Sequence, residues 1–484
     1  MESEQAKFSI LMFPWLAHGH IFPFLELAKR LSKRNFTVYL CSAPINLDSI
    51  KTNLAKDRSI DDDSIKLIEL EFESPQLPSE FHTTKNIPSH LSHLIPILIQ
   101  DFQKSSSSFV GIVNSLNPDL LILDYFQPWA FKYALSRGIP AVCFLVICAT
   151  SFAFHHHEHT HGTSSPSPFK GIYLLDHERV DYGASMGAFI KDADLDVFAF
   201  GTFNLSSDII LFNSSKGLEG KYIDYLTVQC EKPVVPTGPL IVRSNEGENS
   251  EIMKWLSGKD RFSTVYVSFG SEYFLSMEEV AEVAKGLELC KANFVWVLRF
   301  PLGENAMSVE NALPRGFTER AKERGLVVTW APQTSVLDHE STGGFVSHCG
   351  WNSVMESAYF GVPVIAMPMR IEQPLSGRML VELCLFSSTI MPMVTEAGCC
   401  VEVRRSENEG YKGEYIAEAI NKLVLEESGE GLWERANKLS EKMRMDEEKE
   451  MDVVTEELWE LCLKKNKKMM IKQATMYFFC YEVC

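Results

Sequence analysis

Residues 347–363 read SHCGWNSVMESAYFGVP. The apolar run GGFVS (343–347) stops at His348, and Asn352 and Ser353 open a helix-like stretch ending at Gly361, before Pro363. The first N–H groups of a helix lack intrahelical partners and carry partial positive charge, so such a terminus can hold a phosphate. A plainer reading is equally open: Ser353-Val354-Met355-Glu356 is S-x-x-E, a capping box that would satisfy the helix start by itself. Near the other end, MFPWLAHGHIFP (12–23) sets His20 between a strand and the helix containing Pro23. Imidazole titrates near neutral pH and can take a proton from a hydroxyl; it can equally cap a helix or face solvent. Asp124 closes the run DLLIL (119–123). A strand-end aspartate suits a turn, or the orienting partner that a histidine base needs.

These residues need elements to carry them. FSILMF (8–13), FTVYLC (36–41), DLLIL (119–123) and PAVCFL (140–145) read as strands, with helical spacing in 21–34 and 128–137 between them. That rhythm implies a parallel, doubly wound sheet. A softer region ends in KPVVPTGPLIVRSNEGENSE (232–251), whose prolines and polar residues read as a linker. The rhythm then restarts: TVYVSF (264–269), FVWVLRF (294–300), LVVT (326–329), GGFVS and PVIAM (363–367) are strand-like, and 277–290 is an amphipathic helix. Two such halves make a cleft, a favoured place for a ligand.

Composition limits the partners. The chain has 484 residues, 45% hydrophobic and 23% charged, which suits a globular protein of two domains. A net charge of -18 argues against nucleic acid and anionic membranes as partners. The 12 cysteines form no CxxC pair and several sit in apolar runs, the pattern of reduced thiols in a cytoplasmic protein. The longest apolar run, AVCFLVICA (141–149), is too short to span a bilayer, and no signal peptide or stable membrane insertion is expected.

WAPQTSVLDHESTGGFVSHCGWNSVMESAYFGVPVIAMPMRIEQ (330–373) resembles, without a gap, the signature segment of plant UDP-sugar-dependent glycosyltransferases of small molecules. The resemblance covers residues 7–462 and implies an α/β fold of the GT-B kind, two Rossmann-like doubly wound domains facing across a cleft. Residues 1–240 would bind the acceptor, 241–251 link, 252–440 bind the UDP-sugar, and 441–462 form a helix returning to the first domain, followed by an atypical tail, 463–484.

The resemblance also implies roles. Trp330, Gln333 and the Ala331 backbone would hold the uracil and ribose side, and Glu356 the ribose hydroxyls. His348, Asn352, Ser353 and, in the turn SFGS (268–271), Ser271 would hold the diphosphate. Glu372 and Gln373 would bind the donor sugar; this terminal Gln, with Trp351 inside the segment, is the pattern usual for UDP-glucose. HGHIFP matches the family's GHxxP turn, which makes His20 the general base and Asp124 its partner in an inverting displacement. The UDP-sugar is a co-substrate, no metal or other cofactor is called for, and a monomer is expected. Segments 13–50 and 264–301 look like the branch that adds a sugar onto the sugar of a triterpenoid, flavonoid, lignan or apocarotenoid glycoside. Transfer to an aglycone and an idle nucleotide-sugar binder are the alternatives.

Other motifs compete poorly. HEHTH (157–161) satisfies H-E-x-x-H, but Gly and Pro follow closely and are expected to cut its helix short. DAD and DLD (192–196) lie in an acidic stretch, and neither half shows the G-x-G-x-x-G of a dinucleotide-binding oxidoreductase. Three features depart from the family: Arg370 stands where this branch usually has histidine, ELCLFSSTIMPMV (382–394) reads as an insertion, and the tail fits no expected element. Retained noncoding sequence would leave an insert and a tail of this kind.

Overall fold

Strands buried on both faces must be apolar throughout, and in the computed structural model the runs FSILMF, LLIL and AVCFL are central strands. The structure describes residues 7–55, 57, 64–87, 89–190, 200–242, 250–300, 308–382, 399–406 and 410–482. The first sheet comprises β1 (Phe8–Phe13), β2 (Phe36–Ser42), β3 (Ile65–Glu69), β4 (Leu120–Leu123), β5 (Ala141–Leu145), β6 (Ile210–Phe212) and β7 (Val234–Pro236). Its order is β3-β2-β1-β4-β5-β6-β7, parallel throughout. The second comprises β8 (Thr264–Ser268), β9 (Asn293–Val297), β10 (Gly325–Val328), β11 (Thr342–Ser347), β12 (Val364–Ala366) and β13 (Cys400–Glu402), in the parallel order β10-β9-β8-β11-β12-β13. This is the doubly wound α/β architecture expected from the strand–helix rhythm.

In each sheet the first strand lies between a pair of neighbours reached in opposite directions, and ligands bind beyond the carboxyl ends at such a switch point. In the first sheet that place lies between β1 and β4, whose ends lead to His20 and Asp124. In the second it lies between β8 and β11, whose ends lead to Ser271 and His348.

Six helices matter below: α1 (His18–Ser32), α2 (Ala149–His161), α3 (Asp176–Ile190), α4 (Trp351–Phe360), α5 (Gln373–Glu382) and α6 (Glu427–Glu482). The last starts on the second domain, where Leu432 joins the β8–β9 core. It then crosses to the first, where Met451, Val454, Leu458, Leu461 and Cys462 pack on β1, β2 and α1. Trp459 meets Phe8 edge-on at 4.6 Å, and Arg34 pairs with Asp452 at 3.3 Å.

Some expectations from sequence need correcting. The stretch read as linker contains β7, because Val234 and Val235 bury themselves against β6 at the sheet edge, where Pro236 is tolerated. The tail does have an element: α6 continues unbroken to Glu482, with Lys465 donating to the Pro118 carbonyl at 2.7 Å and Lys464 pairing with Asp208 at 3.2 Å. HEHTH is helical along its whole length, since α2 stops only at Gly162. Its side chains have local duties: His157 bonds the Pro166 carbonyl at 3.1 Å, and Glu158 pairs with Arg179 at 2.8 Å. Among the described residues no group of three His, Cys, Asp or Glu converges on a common point. The DAD and DLD stretch, and the stretch read as inserted beyond Glu382, lie outside the described residues. No described helix is long and apolar enough to cross a membrane.

Candidate active site

On the first domain, His20 sits in the opening turn of α1 and Asp124 just past β4, two residues 104 apart in sequence. The Nδ1 of His20 lies 2.7 Å from Asp124 Oδ2. Asp124 is fully buried, and its Oδ2 also accepts from the Trp15 backbone N–H at 3.2 Å, while Oδ1 has no partner. A carboxylate accepts only, so Nδ1 carries the proton and Nε2 presents its lone pair. His18 in the same turn is held neutral: burial and the Lys85 and Arg299 charges push it down to about 4. Tyr125 and Phe126 flank His20 and run into an aromatic wall with Phe152 and Phe203.

Pro23 has a definite task in this turn. It lacks the N–H that would bond the carbonyl four residues back, on Gly19. That carbonyl accepts instead from Asn352 Nδ2 on the second domain, at 3.2 Å. The base-bearing turn is thereby tied to the helix opposite, next to Ser353.

The second domain builds its side from two strained turns. Cys349, between β11 and α4, has φ +62°, and Ile371, just before Glu372 and Gln373, has φ +57°. Left-handed backbone is costly for non-glycine residues, above all β-branched ones, and it concentrates at functional sites. His348 fits between two glycines: a Cβ on Gly270 would lie 2.6 Å from its Nε2, and one on Gly350 2.5 Å. Burial, then Arg370, pushes His348 down to about 4, so it is neutral and can donate one hydrogen bond. Ser271 follows Gly270 in the turn after β8.

The helix start departs from the capping box. Gly350 caps α4 without a side chain, so Ser353 lies inside its first turn. Glu356 does not reach back; its carboxylate accepts from Gln333 Nε2 at 2.6 Å, and the same Nε2 reaches Ser353 Oγ at 3.1 Å. The opening N–H groups therefore keep no side-chain cap. Burial raises Glu356 to about 7, with the Gln333 bond opposing. Gln333 also accepts from the Tyr266 hydroxyl at 3.3 Å. Trp330 is 55% exposed and Ala331 buried, which leaves an indole face open to stacking beside this cluster.

Trp351 is a joint between domains: it is buried and donates its indole N–H to the Asn213 carbonyl at 2.7 Å. Gln373 Oε1 accepts from the Met369 and Arg370 backbones at 3.0 and 2.9 Å, which leaves its amide N–H groups to donate elsewhere. Burial raises the Glu372 carboxyl, while its backbone hydrogen bond and the Arg370 and His20 charges act to lower it.

Sequence reasoning missed the residues that bind the two halves together. Thr84 Oγ1 donates to Glu272 at 2.9 Å, and Arg378 on α5 forks onto Glu178 on α3 at 2.7 and 2.9 Å, both side chains nearly inaccessible. Glu382, the last residue of α5, bonds Tyr222 and pairs with Lys221 at 2.6 Å. None belongs to a motif; only the charge of Arg378 in an otherwise helical run hinted at a partner.

Two doubly wound parallel sheets in these strand orders make a fold of the GT-B class. The comparisons agree. Residues 235–399 match the family model described as UDP-glucoronosyl and UDP-glucosyl transferase, and residues 6–241 that described as glycosyltransferase, N-terminal domain. The chain is 45% identical over 452 residues to mogroside IIIx synthase of Siraitia grosvenorii, covering 92% of this chain and 95% of that one. It is 41% identical over 458 residues to beta-D-glucosyl crocetin beta-1,6-glucosyltransferase of Gardenia jasminoides, covering 93% and 98%. The structure of Phytolacca americana UGT2 complexed with UDP-2fluoro-glucose and pterostilbene superposes with a TM-score of 0.73 at 26% identity, covering 94% of this chain and 100% of that one. The chain belongs to the UDP-glucoronosyl and UDP-glucosyl transferase family, and it is a UDP-glycosyltransferase.

Proposed function

We propose that this transferase moves glucose from UDP-glucose to a hydroxyl on the sugar of a small-molecule glycoside, such as a triterpenoid or flavonoid glucoside, and lengthens its sugar chain. The observation that carries the chemistry is the His20–Asp124 bond at 2.7 Å, in a turn tied to the start of α4 through the Gly19–Asn352 bond. His20 Nε2 takes the proton of the acceptor hydroxyl as that oxygen attacks the anomeric carbon. The bond from that carbon to the diphosphate oxygen breaks, the carbon inverts, and Asp124 stabilises the imidazolium. UDP leaves with the bonding pair, held by Ser271, His348, Asn352, Ser353 and the start of α4. Trp330, the Ala331 backbone, Gln333 and Glu356 hold the nucleoside, and Glu372 and Gln373 hold the sugar. No metal is invoked. The glycoside acceptor is supported by the Gardenia relative, whose name places its acceptor oxygen on a glucosyl group.

The test is UDP release from UDP-glucose with paired aglycones and monoglucosides of a flavonol and a triterpenoid, with His20→Ala alongside. Turnover on the glucosides alone, reduced about 10²–10⁴-fold in the variant, is expected. Turnover on aglycones alone would overturn the acceptor assignment, and UDP release without acceptor would show hydrolysis instead.

A further inference from the structure

Three basic side chains with no role in the site described above stand on loops brought together where the domains face each other. Arg299 stands just past the carboxyl end of β9, beside the turn after β8 that carries Ser271. Lys85 lies in the short 3-10 turn Thr84–Asn86 of the first domain. That turn is pinned at two points: the Thr84 N–H donates to the Leu16 carbonyl at 3.0 Å, and its hydroxyl donates to Glu272, next to Ser271, at 2.9 Å. The first bond sets Lys85 beside the loop that opens α1, where His18 is the leading residue. All three side chains are half-buried.

The surroundings of Lys85 and Arg299 are unusual for cations, with neutral His18 beside them. Among the described residues none of the three forms an ion pair; the carboxylate of that turn, Glu272, accepts from the Thr84 hydroxyl instead. Besides burial, the group that bears on Lys85 is Arg299, and the one that bears on Arg299 is the Tyr266 phenol. Both charges in turn press on His18. Half-buried like charges without a counterion are unfavourable unless an anion joins them. The chain carries a net charge of -18, so this patch also stands out as a local attractor for anions.

We propose that the cations Lys85 and Arg299, with neutral His18 beside them, form a second wall for the diphosphate of the nucleotide sugar, opposite the start of α4, with each domain supplying part of it. The inference rests on the donor-site reading above. The ammonium and guanidinium donate to non-bridging phosphate oxygens, and neutral His18 adds one N–H. Nucleotide binding thus cancels a repulsion across the cleft and draws the two faces together.

The test is calorimetric titration of the full chain with UDP, UMP and uridine at low and high salt, comparing the parent with Lys85→Gln, Arg299→Gln and Lys85→Arg. The Gln variants should bind UDP about tenfold more weakly, the size of one charge-assisted hydrogen bond, with uridine unchanged and a shallower salt dependence. Lys85→Arg should keep most of the affinity. Unliganded Lys85→Gln should melt no lower than the parent, because a repulsion is lost; a residue with a merely structural role would melt lower. UDP affinity unchanged in both Gln variants, while His348→Ala abolishes it, would overturn the wall and leave the donor site standing. UDP and uridine weakened equally would overturn it too. A parent chain that binds no UDP would overturn the donor-site reading and the wall together.

Discussion

Asp124→Asn separates the charge of the orienting residue from its geometry. The place now held by Oδ2 must accept two hydrogen bonds, from His20 Nδ1 at 2.7 Å and from the Trp15 N–H at 3.2 Å. An asparagine meets that demand only with its carbonyl oxygen there. The amide nitrogen is then turned to the Oδ1 side, where the carboxylate has no partner. His20 consequently keeps the tautomer with Nε2 free, and the catalytic loss is that of the negative charge alone. A hydrogen bond to a charged group contributes about 1.5–3 kcal/mol and a neutral one about 0.5–1.5, so the barrier should rise by about 1–2 kcal/mol. That is roughly 5–30-fold in kcat, well short of the ~10⁴-fold expected where the wrong tautomer is trapped. The stranded NH₂ should also cost about 1–3 kcal/mol of stability. Steady-state kinetics at saturating donor and acceptor, with urea denaturation of the same preparations, measure both quantities. A kcat within twofold of the parent would refute the role of Asp124; a loss near 10⁴ would refute the argument from Trp15.

Other expectations can be checked with similar assays. Gly270→Ala puts a Cβ 2.6 Å from His348 Nε2 on a residue with φ +80°, so thermal denaturation should show a loss of about 2–4 kcal/mol and titration a weaker UDP complex. Glu356, raised from 4.5 to about 7 in the fold, is easier to protonate folded than unfolded; stability should therefore fall as pH rises from 4.5 to 7. Glu356→Gln should flatten that slope by up to about 3 kcal/mol in urea titrations, while weakening the nucleoside complex. Glu178→Ala strands Arg378 in a buried setting and should cost about 3–5 kcal/mol, and the double variant with Arg378→Met should recover much of it.

The architecture was readable because strands covered on both faces leave continuous apolar runs such as FSILMF and AVCFL. The three-residue strand β7 leaves no such run, and the prolines around it resemble punctuation; β6 does lie in an apolar run, IILF (209–212), but one too short for periodicity to tell strand from buried helix. The terminal extension of α6 is written in its composition: Lys and Met are good helix formers, and local propensity alone favours continuation through the basic run. At the site, residue types and order could be taken from the motif, but His20 and Asp124 meet through a parallel pairing of β1 and β4 that no local pattern encodes. The Gly19–Asn352 bond was legible in one half only. Pro23 announced a carbonyl without its donor, and the fold alone identified the donor.

The return of α6 to the first domain also bears on biosynthesis. Phe8 and Phe36 find Trp459 only after more than 420 further residues have been made. At about 5–20 residues per second, the roughly 450 intervening residues take on the order of 20–90 s to translate. For that interval the nascent first domain shows the ribosome's surroundings an apolar surface that it cannot cover itself. The second domain waits far less, because the last side chains of its β8–β9 core, from Ile416 to Leu432, follow soon after β13. Truncation from the 3′ end of the message should therefore damage the first domain before the second, and an isolated first domain should need residues 441–462 supplied in trans to stay soluble.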